Sequence, residues 1–205
     1  MNTSFSDFKS QVVDIREPQD ISDKTFFVDT NVWFWLLSTI GYYDGQAYQV
    51  EQYPEFINAI RSKNRLCACA VNLVELSHII EDTCHKIYCR ENGQELPKKQ
   101  YRHTLPDERK KIVDEIKGVW DNMKNFASVL DTEIEAETDI DEILNTITEC
   151  KVDAYDALML HNMIKCEIDY IISDDFDFST IPSVVVFTAN RKIVTRARAC
   201  GKLVV

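Results

Sequence analysis

Four carboxylates occupy positions from which they could act together. Asp29 directly follows a short apolar run, and Asp175 comes two residues after the apolar run that ends at Ser173. Glu75 lies one turn into a segment of helical pattern that follows a third apolar run, and Asp156 falls in the first turn of a further predicted helix. In an open parallel sheet, ligands bind where the carboxyl ends of the strands meet. The sequence therefore predicts that these four acids converge at one edge of a sheet.

Four carboxylates at one edge would repel one another strongly unless a cation binds among them. Hard divalent ions such as Mg²⁺ and Mn²⁺ prefer oxygen ligands of this kind and keep several waters. A metal bound in this way activates a water and neutralises charge on a leaving oxygen, which is what phosphoryl hydrolysis requires. Asp29, Glu75, Asp156 and Asp175 are therefore predicted to be both metal ligands and catalytic residues, with Mg²⁺ or Mn²⁺ as the cofactor.

Each acid also has an ordinary structural explanation. Asp29 could cap a helix or a turn, Glu75 could be a solvated helix residue, and some acids of the segment 174–177 could simply solvate a loop. Asp153 is better placed than Asp156 to cap the helix that contains both. The hypothesis of a shared site depends on the joint placement of the four acids, since each signal alone is weak.

Strands and helices alternate along the chain. Short apolar runs predict strands at residues 25–28, 66–70, 170–173 and 184–187, with a further one at the end of the chain. Helical spacing predicts helices at residues 32–40, 54–61, 107–126, 139–150 and 153–166, and a long one that Asn72 caps. This alternation predicts a three-layer α/β/α sandwich around a parallel sheet.

The predicted domain covers residues 25–205, and residues 1–24 read as a polar, loosely attached lead-in. The helices between residues 80 and 150 exceed what a compact crossover needs, so they are predicted to form an inserted, protruding helical arm. The chain has 205 residues, of which 45% are hydrophobic, enough for one domain with a substantial core. No run approaches the roughly 18 apolar residues of a membrane helix. The start of the chain lacks the pattern of a signal peptide, so we expect a cytoplasmic protein.

Seven cysteines are expected to be reduced thiols, because none forms a Cys-x-x-Cys pair. Cys84 and Cys89 lie near His78 and His85, but their spacing matches no common zinc pattern. Burial as ordinary thiols is therefore the preferred interpretation.

The net charge of −11 is unusual for a protein that handles nucleic acid, but the charges are unevenly distributed. Residues 130–156 contain ten acids and one base, whereas residues 179–205 contain five bases and no acid. A second basic cluster lies between Lys98 and Lys111. A phosphate backbone could follow these basic surfaces, so Arg191 and Lys192 are candidate substrate-binding residues. Ordinary solvated faces remain the alternative for either cluster.

Four motifs around the acids resemble those of the PIN-domain family. Phe27-Val-Asp29-Thr-Asn31 is similar to the family's opening motif, and Ala70-Val-Asn-Leu-Val-Glu75 resembles its second. Tyr155-Asp156-Ala-Leu is similar to the third motif. Ser173-Asp-Asp175-Phe-Asp177-Phe matches the fourth, with Ser173 where the family usually has threonine. The order of the motifs and their strand context agree across residues 25–190.

This resemblance implies an α/β/α sandwich, dependence on Mg²⁺ or Mn²⁺, and cleavage of single-stranded RNA. Asn31 and Ser173 are then expected to help bind the substrate. The resemblance also implies a toxin held by an antitoxin partner, as in many bacterial members, and a homodimer. No membrane association is expected.

Other classes of protein remain open at this stage. A haloacid-dehalogenase-like phosphatase would need a second aspartate at position 31, where this chain has asparagine, and a receiver domain would need acids before Asp29. A PIN module used only for binding protein or RNA is the alternative outside the enzymes. A structure-specific DNA nuclease is the remaining enzymatic alternative.

Overall fold

A seven-stranded parallel sheet forms the centre of the computed structural model, which describes residues 8–18, 20–131 and 133–204. The strands are β1 (Gln11–Asp14), β2 (Thr25–Val28), β3 (Arg65–Cys69), β4 (Ser128–Leu130), β5 (Tyr170–Ile172), β6 (Val185–Thr188) and β7 (Leu203–Val204). They lie in the order β4-β3-β2-β5-β6-β1-β7, and every neighbouring pair is parallel. The predicted parallel sheet is confirmed.

Helices cover both faces of the sheet. They are α1 (Thr30–Leu37), α2 (Gly41–Asp44), α3 (Ala47–Ile60), α4 (Ala70–Asn92), α5 (Lys98–Thr104), α6 (Pro106–Phe126), α7 (Asp139–Glu149), α8 (Ala154–Lys165) and α9 (Arg191–Ala199). Buried residues of α1, α3, α4 and α6 share one core with one face of the sheet, and those of α7, α8 and α9 share a second core with the other. The predicted three-layer α/β/α sandwich is therefore confirmed.

The sequence of β2 explains why it lies at the centre of the sheet. Phe27 packs in the core beneath α8 and α9, while Phe26 and Val28 pack in the core beneath α1 and α3, and all three are fully buried. A strand covered on both faces needs such a continuous apolar run. The chain passes from β2 outward to β3 and β4, then returns to β5 on the other side of β2. This reversal makes the carboxyl ends of β2 and β5 the topological switch point.

The prediction of a loosely attached lead-in at residues 1–24 is wrong for its described part. Strand β1 lies inside the sheet between β6 and β7, and Val12 and Val13 are buried. The Ser10 hydroxyl donates to the carbonyl of Phe178 at 2.7 Å. Two valines in a polar context give too short a pattern to indicate a strand, because the strand forms only through pairing with distant segments. Residues 1–7 lie outside the described residues.

The segment between residues 80 and 150 contains the expected extra helices, but it does not protrude as one arm. Ile80 of α4 and Ile112, Val119 and Met123 of α6 are buried in the same core as α1. Strand β4 pairs with β3, and α7 packs on the opposite face of the sheet. The apolar stripes of these helices are thus buried within the sandwich, which an exposed arm would not allow.

Two local predictions are also corrected. Residues Gly41–Asp44, which lie outside the predicted strands and helices, form the short helix α2. Helix α3 begins at Ala47 rather than at Pro54, because Gln46 and Gln49 cap it reciprocally: the Gln49 Oε1 accepts the Gln46 N–H at 2.7 Å, and the Gln46 side chain accepts the Gln49 N–H. Among the described helices, none is long and apolar enough to cross a membrane.

Candidate metal centre

Asp29 lies at the switch point, between the end of β2 and the start of α1. Its side chain is 2% exposed, and its own N–H donates to the carbonyl of Ile172, the last residue of β5, at 3.0 Å. The Ser173 hydroxyl donates to Asp29 Oδ2 at 2.7 Å. Because Asp29 makes no side-chain cap hydrogen bond to α1, the simple capping explanation does not account for its carboxylate.

Ser173, Asp175 and Asp177 lie in the loop after β5. The Ser173 hydroxyl accepts the Asp175 N–H at 2.9 Å, and Asp175 Oδ1 accepts the Asp177 N–H at 2.8 Å. Asp177 begins a short 3-10 helix, Asp177–Thr180. One serine therefore contacts Asp29 and orients the backbone that carries Asp175.

Asp156 enters the same region from α8. It is 8% exposed, and one carboxylate oxygen from each of Asp156, Asp175 and Asp177 lies within 4.8 Å of the others. Asp153 caps α8, since its Oδ1 accepts the N–H groups of Tyr155 and Asp156 at 2.8 and 3.0 Å. The two neighbouring acids thus differ in position as the sequence indicated: Asp153 caps the helix, and Asp156 faces the other acids.

Glu75 approaches from α4. Its Oε2 is buried and has no hydrogen-bond partner within the described part of the chain. Burial raises its pKa against the opposing effect of a hydrogen bond with the Thr30 side chain, and the charges of Asp153 and Asp175 raise it further. An unpartnered buried carboxylate oxygen is costly unless a cation or a proton compensates it.

Charges within the group of four acids raise the pKa values of Asp29, Glu75 and Asp156, although only Asp156 and Asp175 of the four belong, with Asp177, to the group whose carboxylate oxygens lie within 4.8 Å of one another. The pKa of Asp29 is raised to about 8, first by burial and then by the charge of Glu75, against the opposing effect of the Ser173 hydrogen bond. The pKa of Asp156 is raised to about 9 by burial and then by the charges of Asp29, Asp153, Asp175 and Glu75. Within the described ranges none of the four forms an ion pair with lysine or arginine.

Asp177 is a residue of this cluster that sequence reasoning left without a role. Its pKa is raised to about 6 by burial and then by the charges of Asp175 and Asp153. The sequence signal that could have identified it is its position two residues after Asp175. The loop contains three aspartates, however, and their spacing alone does not show which of them reach the cluster. Only the turn into the 3-10 helix brings its carboxylate to the cluster.

The neighbouring Asp174 is held in a different way. Its carboxylate accepts hydrogen bonds from the Tyr53 hydroxyl at 2.6 Å, the Tyr48 hydroxyl at 2.9 Å and the Gln49 amide at 2.6 Å. The amide of Asn190 donates to the Asp174 carbonyl at 3.0 Å. Asp174 therefore anchors the loop after β5 to α3 and to the residues after β6.

Two clefts open beside the acids. The first, about 400 Å³, runs from Asn31 and Asp175 to Gln46, and the second, about 570 Å³, runs from Gln46 to Arg191 and Lys192. They share Gln46, Gln49 and Asp174 as walls. Of the predicted substrate-binding residues, Asn31 lines the first cleft and Arg191 and Lys192 line the adjacent second cleft, while Ser173 is buried against Asp29.

The two basic clusters of the sequence differ in the structure. Arg191 and Lys192 are exposed in the first turn of α9. In the other cluster, Arg102 and Arg109 bind the buried Glu81, and Lys98 and Lys111 pair with Asp82 and Glu108. Its positive charge is therefore largely compensated within the chain, and its predicted use as a phosphate surface loses support.

The donor set fits a hard divalent cation. It consists of carboxylate oxygens alone, it includes an unpartnered buried oxygen of Glu75, and it holds several acids whose burial disfavours their charged form. Oxygen ligands of this kind are those that Mg²⁺ and Mn²⁺ prefer. The cysteine–histidine alternative has less support, since His85 and Cys89 lie 3.4 Å apart but no group of three zinc ligands forms around them in the described residues. All seven cysteines are free.

An open parallel sheet with an acidic cluster at its switch point defines the class of protein. Residues 26–184 match the model of the PIN domain, a span of more than half of the chain, and the chain therefore belongs to the PIN domain family. PIN domains are generally nucleases.

This chain is similar to a solved structure of VapBC2 from Rickettsia felis bound to a DNA fragment from their promoter. The sequences are 12% identical, the match covers 79% of this chain and 96% of that one, and the TM-score is 0.47. The comparison with curated proteins found no match.

Proposed function

We propose that this protein is a Mg²⁺- or Mn²⁺-dependent endoribonuclease that hydrolyses phosphodiester bonds of single-stranded RNA. The observation that carries the proposal is that Asp29 and Asp156 are buried, and Glu75 has a buried, unpartnered Oε2, without a lysine or arginine partner among the described residues. Buried acids are normally paired, protonated or bound to a metal. Of these three, only a bound metal ion both neutralises the acids and activates the water that a nuclease needs.

Asp29, Glu75, Asp156 and Asp175 are the proposed ligands, and Asp177 is close enough to join them. A divalent ion bound there would lower the pKa of a water and stabilise the charge that develops on the phosphate and the leaving oxygen. Ser173 is a positioning residue, because its hydroxyl donates to Asp29 and accepts the Asp175 N–H. It sets the relative position of two acids that come from different strands.

The substrate is proposed to enter along the second cleft. Arg191 and Lys192 line it, and their charges would attract a phosphate backbone that the acidic flank of the molecule repels. The second cleft shares the walls Gln46 and Asp174 with the first cleft, which is lined by Asp175 of the acid cluster. The RNA backbone on one side of the reacting phosphate would thus be bound by Arg191 and Lys192 in the second cleft.

The test is cleavage of matched end-labelled oligonucleotides: single-stranded RNA, duplex RNA, single-stranded DNA and a branched DNA. We expect internal cuts in single-stranded RNA with Mn²⁺, and none with EDTA. Cutting of DNA alone would replace the proposal with the DNA nuclease alternative. Binding of RNA without any cutting under Mn²⁺ or Mg²⁺ would favour a non-catalytic PIN module.

The expectations about partners remain predictions. The homodimer that the resemblance implies gains no support from α4 and α6, because their apolar residues Leu76, Ile80, Ile112, Val119 and Met123 are buried within the chain. A toxin role with an antitoxin partner rests on the family resemblance. Sedimentation of the purified chain, alone and with the product of any small neighbouring gene, would test both.

A further inference from the structure

The cleft between α1, α4 and the loop after β5 has features that the hydrolysis itself does not require. Asn31, Trp35, Gln46 and Phe176 line it, and Asp175 forms the wall that it shares with the acid cluster. Trp35 is half-buried, and its ring packs against Tyr53 with centroids 5.5 Å apart. A firmly held aromatic ring therefore lies beside the proposed reaction centre.

The charges of this cleft decide which part of a nucleotide it can hold. Its described lining contains two acids, Asp174 and Asp175, and no lysine or arginine. A phosphate would be repelled there, whereas the second cleft offers Arg191 and Lys192. The uncharged part of a nucleotide suits the first cleft, and the backbone suits the second.

The amide groups of the cleft add hydrogen-bonding capacity. Both polar atoms of the Gln49 side chain already form hydrogen bonds: its Oε1 accepts the Gln46 N–H, and its Nε2 donates to Asp174. Gln46 uses its side-chain oxygen to cap α3, and in the described part of the chain no partner is found for its amide N–H groups. The side chain of Asn31 makes no hydrogen bond to any described residue. Asn31 thus offers a donor and an acceptor, and Gln46 offers donors.

We propose that this cleft binds one unpaired nucleobase next to the scissile phosphate, with Trp35 providing a stacking surface and Asn31 and Gln46 reading the base edge. The inference rests on the proposed function and adds a specificity site to it. Side-chain amides recognise bases through paired donors and acceptors, and unpaired bases of RNA are bound by stacking on aromatic rings with contacts to their exposed edges. The protein would accordingly prefer particular bases at one position beside the cut.

The test uses Gln46→Ser, because serine keeps an oxygen that can cap α3 and removes the amide donors from the cleft. Glu51→Ser is the matched control: Glu51 is exposed on the same helix and does not line the cleft. Each protein is given a pool of single-stranded RNA of random sequence with Mn²⁺, and the ends produced are sequenced. We expect the parent and Glu51→Ser to share a base preference at one position near the cut, and Gln46→Ser to reduce that preference about tenfold.

A binding measurement separates this inference from the proposed activity. The affinities of the four fluorescently labelled RNA homo-oligomers are measured by anisotropy in EDTA, where no cutting is expected. A base-dependent affinity that Gln46→Ser removes would support the base site even if the parent fails to cut RNA, in which case only the proposed activity falls. Equal affinities for all four homo-oligomers, or a cutting preference that Gln46→Ser leaves intact, would overturn the base site.

Discussion

Helix α4 carries two glutamates six residues apart that have opposite surroundings. Glu81 is 4% exposed and accepts hydrogen bonds from Arg102 Nε at 2.7 Å and Arg109 Nη1 at 3.2 Å. The bond with Arg102 lowers its pKa. Glu75 has a buried oxygen with no partner in the described residues, and burial raises its pKa.

The two glutamates differ in what compensates their buried negative charge. At Glu81 the chain supplies the compensating cations itself, so the group joins α4 to α5 and α6 and serves the fold. At Glu75, Asp29 and Asp156 the described part of the chain supplies no lysine or arginine, so their charges lower the stability of the fold until a cation binds. Buried charges without partners are a recognised mark of functional sites, and the predictions below test this difference.

The largest expected effect is on the cleavage rate. Asp29→Asn and Asp175→Asn should each lower the rate of RNA cleavage at least ~100-fold, because each removes a charged ligand from the proposed metal site. Glu81→Gln should leave the rate near that of the parent. Initial rates with Mn²⁺ measure this, with circular dichroism to verify the fold. If Asp29→Asn cuts RNA as fast as the parent, the assigned site is wrong.

The second prediction concerns stabilisation by metal. At a hundredfold excess over its dissociation constant, Mn²⁺ should stabilise the fold by about 2.7 kcal/mol. Without metal, Asp29→Asn and Asp156→Asn should melt no lower than the parent because they remove repulsion, and they should lose most of the metal-induced gain. Asp153→Asn is the control, since asparagine caps a helix about as well as aspartate.

Thermal melts with EDTA and with Mn²⁺ measure both quantities. An unmoved midpoint with Mn²⁺, together with amide variants that melt well below the parent, would falsify a shared ion site.

The third prediction concerns pH in the absence of metal. Because the pKa values of Asp29 and Asp156 are raised to about 8 and about 9, the folded state holds more protons than the unfolded state above pH ~4. Stability in EDTA should therefore fall as pH rises from about 4 to about 9. Asp156→Asn should flatten this slope. Chemical denaturation at a series of pH values tests it, and a parent whose stability rises through that window contradicts the raised pKa values.

A smaller effect is expected at the compensated glutamate. Glu81→Gln should lower the free energy of unfolding by about 1 kcal/mol, because Arg102 and Arg109 are each 42% exposed and are partly hydrated without Glu81. The response to Mn²⁺ should be the same as in the parent. A loss of metal stabilisation in this variant would mean that Glu81 is coupled to the acid cluster.

The smallest effect is expected on RNA binding at Arg191 and Lys192 in the second cleft. Arg191→Ala and Lys192→Ala should each reduce the salt dependence of RNA binding by about one unit of slope per lost contact. Lys110→Ala, which removes an exposed charge from α6, is the control. Binding isotherms at several salt concentrations measure the slopes, and equal slopes in all four proteins would show that Arg191 and Lys192 are only solvated.

The parts of the fold that sequence could predict are those with their own hydrophobic pattern. Strands β2 and β5 are continuous apolar runs, and the acids that follow them mark the edge of the sheet. Strand β1 contains only two buried valines and β4 only one buried leucine, and both become strands by pairing with β6, β7 and β3. Such pairing is a tertiary effect that a local pattern does not contain.

The same distinction applies to the candidate site. The four acids could be proposed as a site from the sequence because each follows a strand or lies in the first two turns of a helix, in a recognisable order. Asp177 and Gln46 were not, because their positions depend on a 3-10 turn and on a reciprocal helix cap. The compensation of Lys98, Arg102 and Arg109 by Glu81 and Asp82 was equally hidden, since those acids lie on the neighbouring helix α4.

The place of β1 in the sheet has a consequence for the order in which the molecule assembles during synthesis. Gln11 pairs with Val185, and Val12 with Leu203, so the first described strand has no neighbours until the last segments of this sequence have been translated. Asp29 likewise waits for β5, whose residue Ile172 accepts its N–H. Contacts between such distant segments form late and slow folding. A nascent chain therefore carries these acids on separate segments, and the acid cluster assembles only after the segments that form β5, β6 and β7 have been translated.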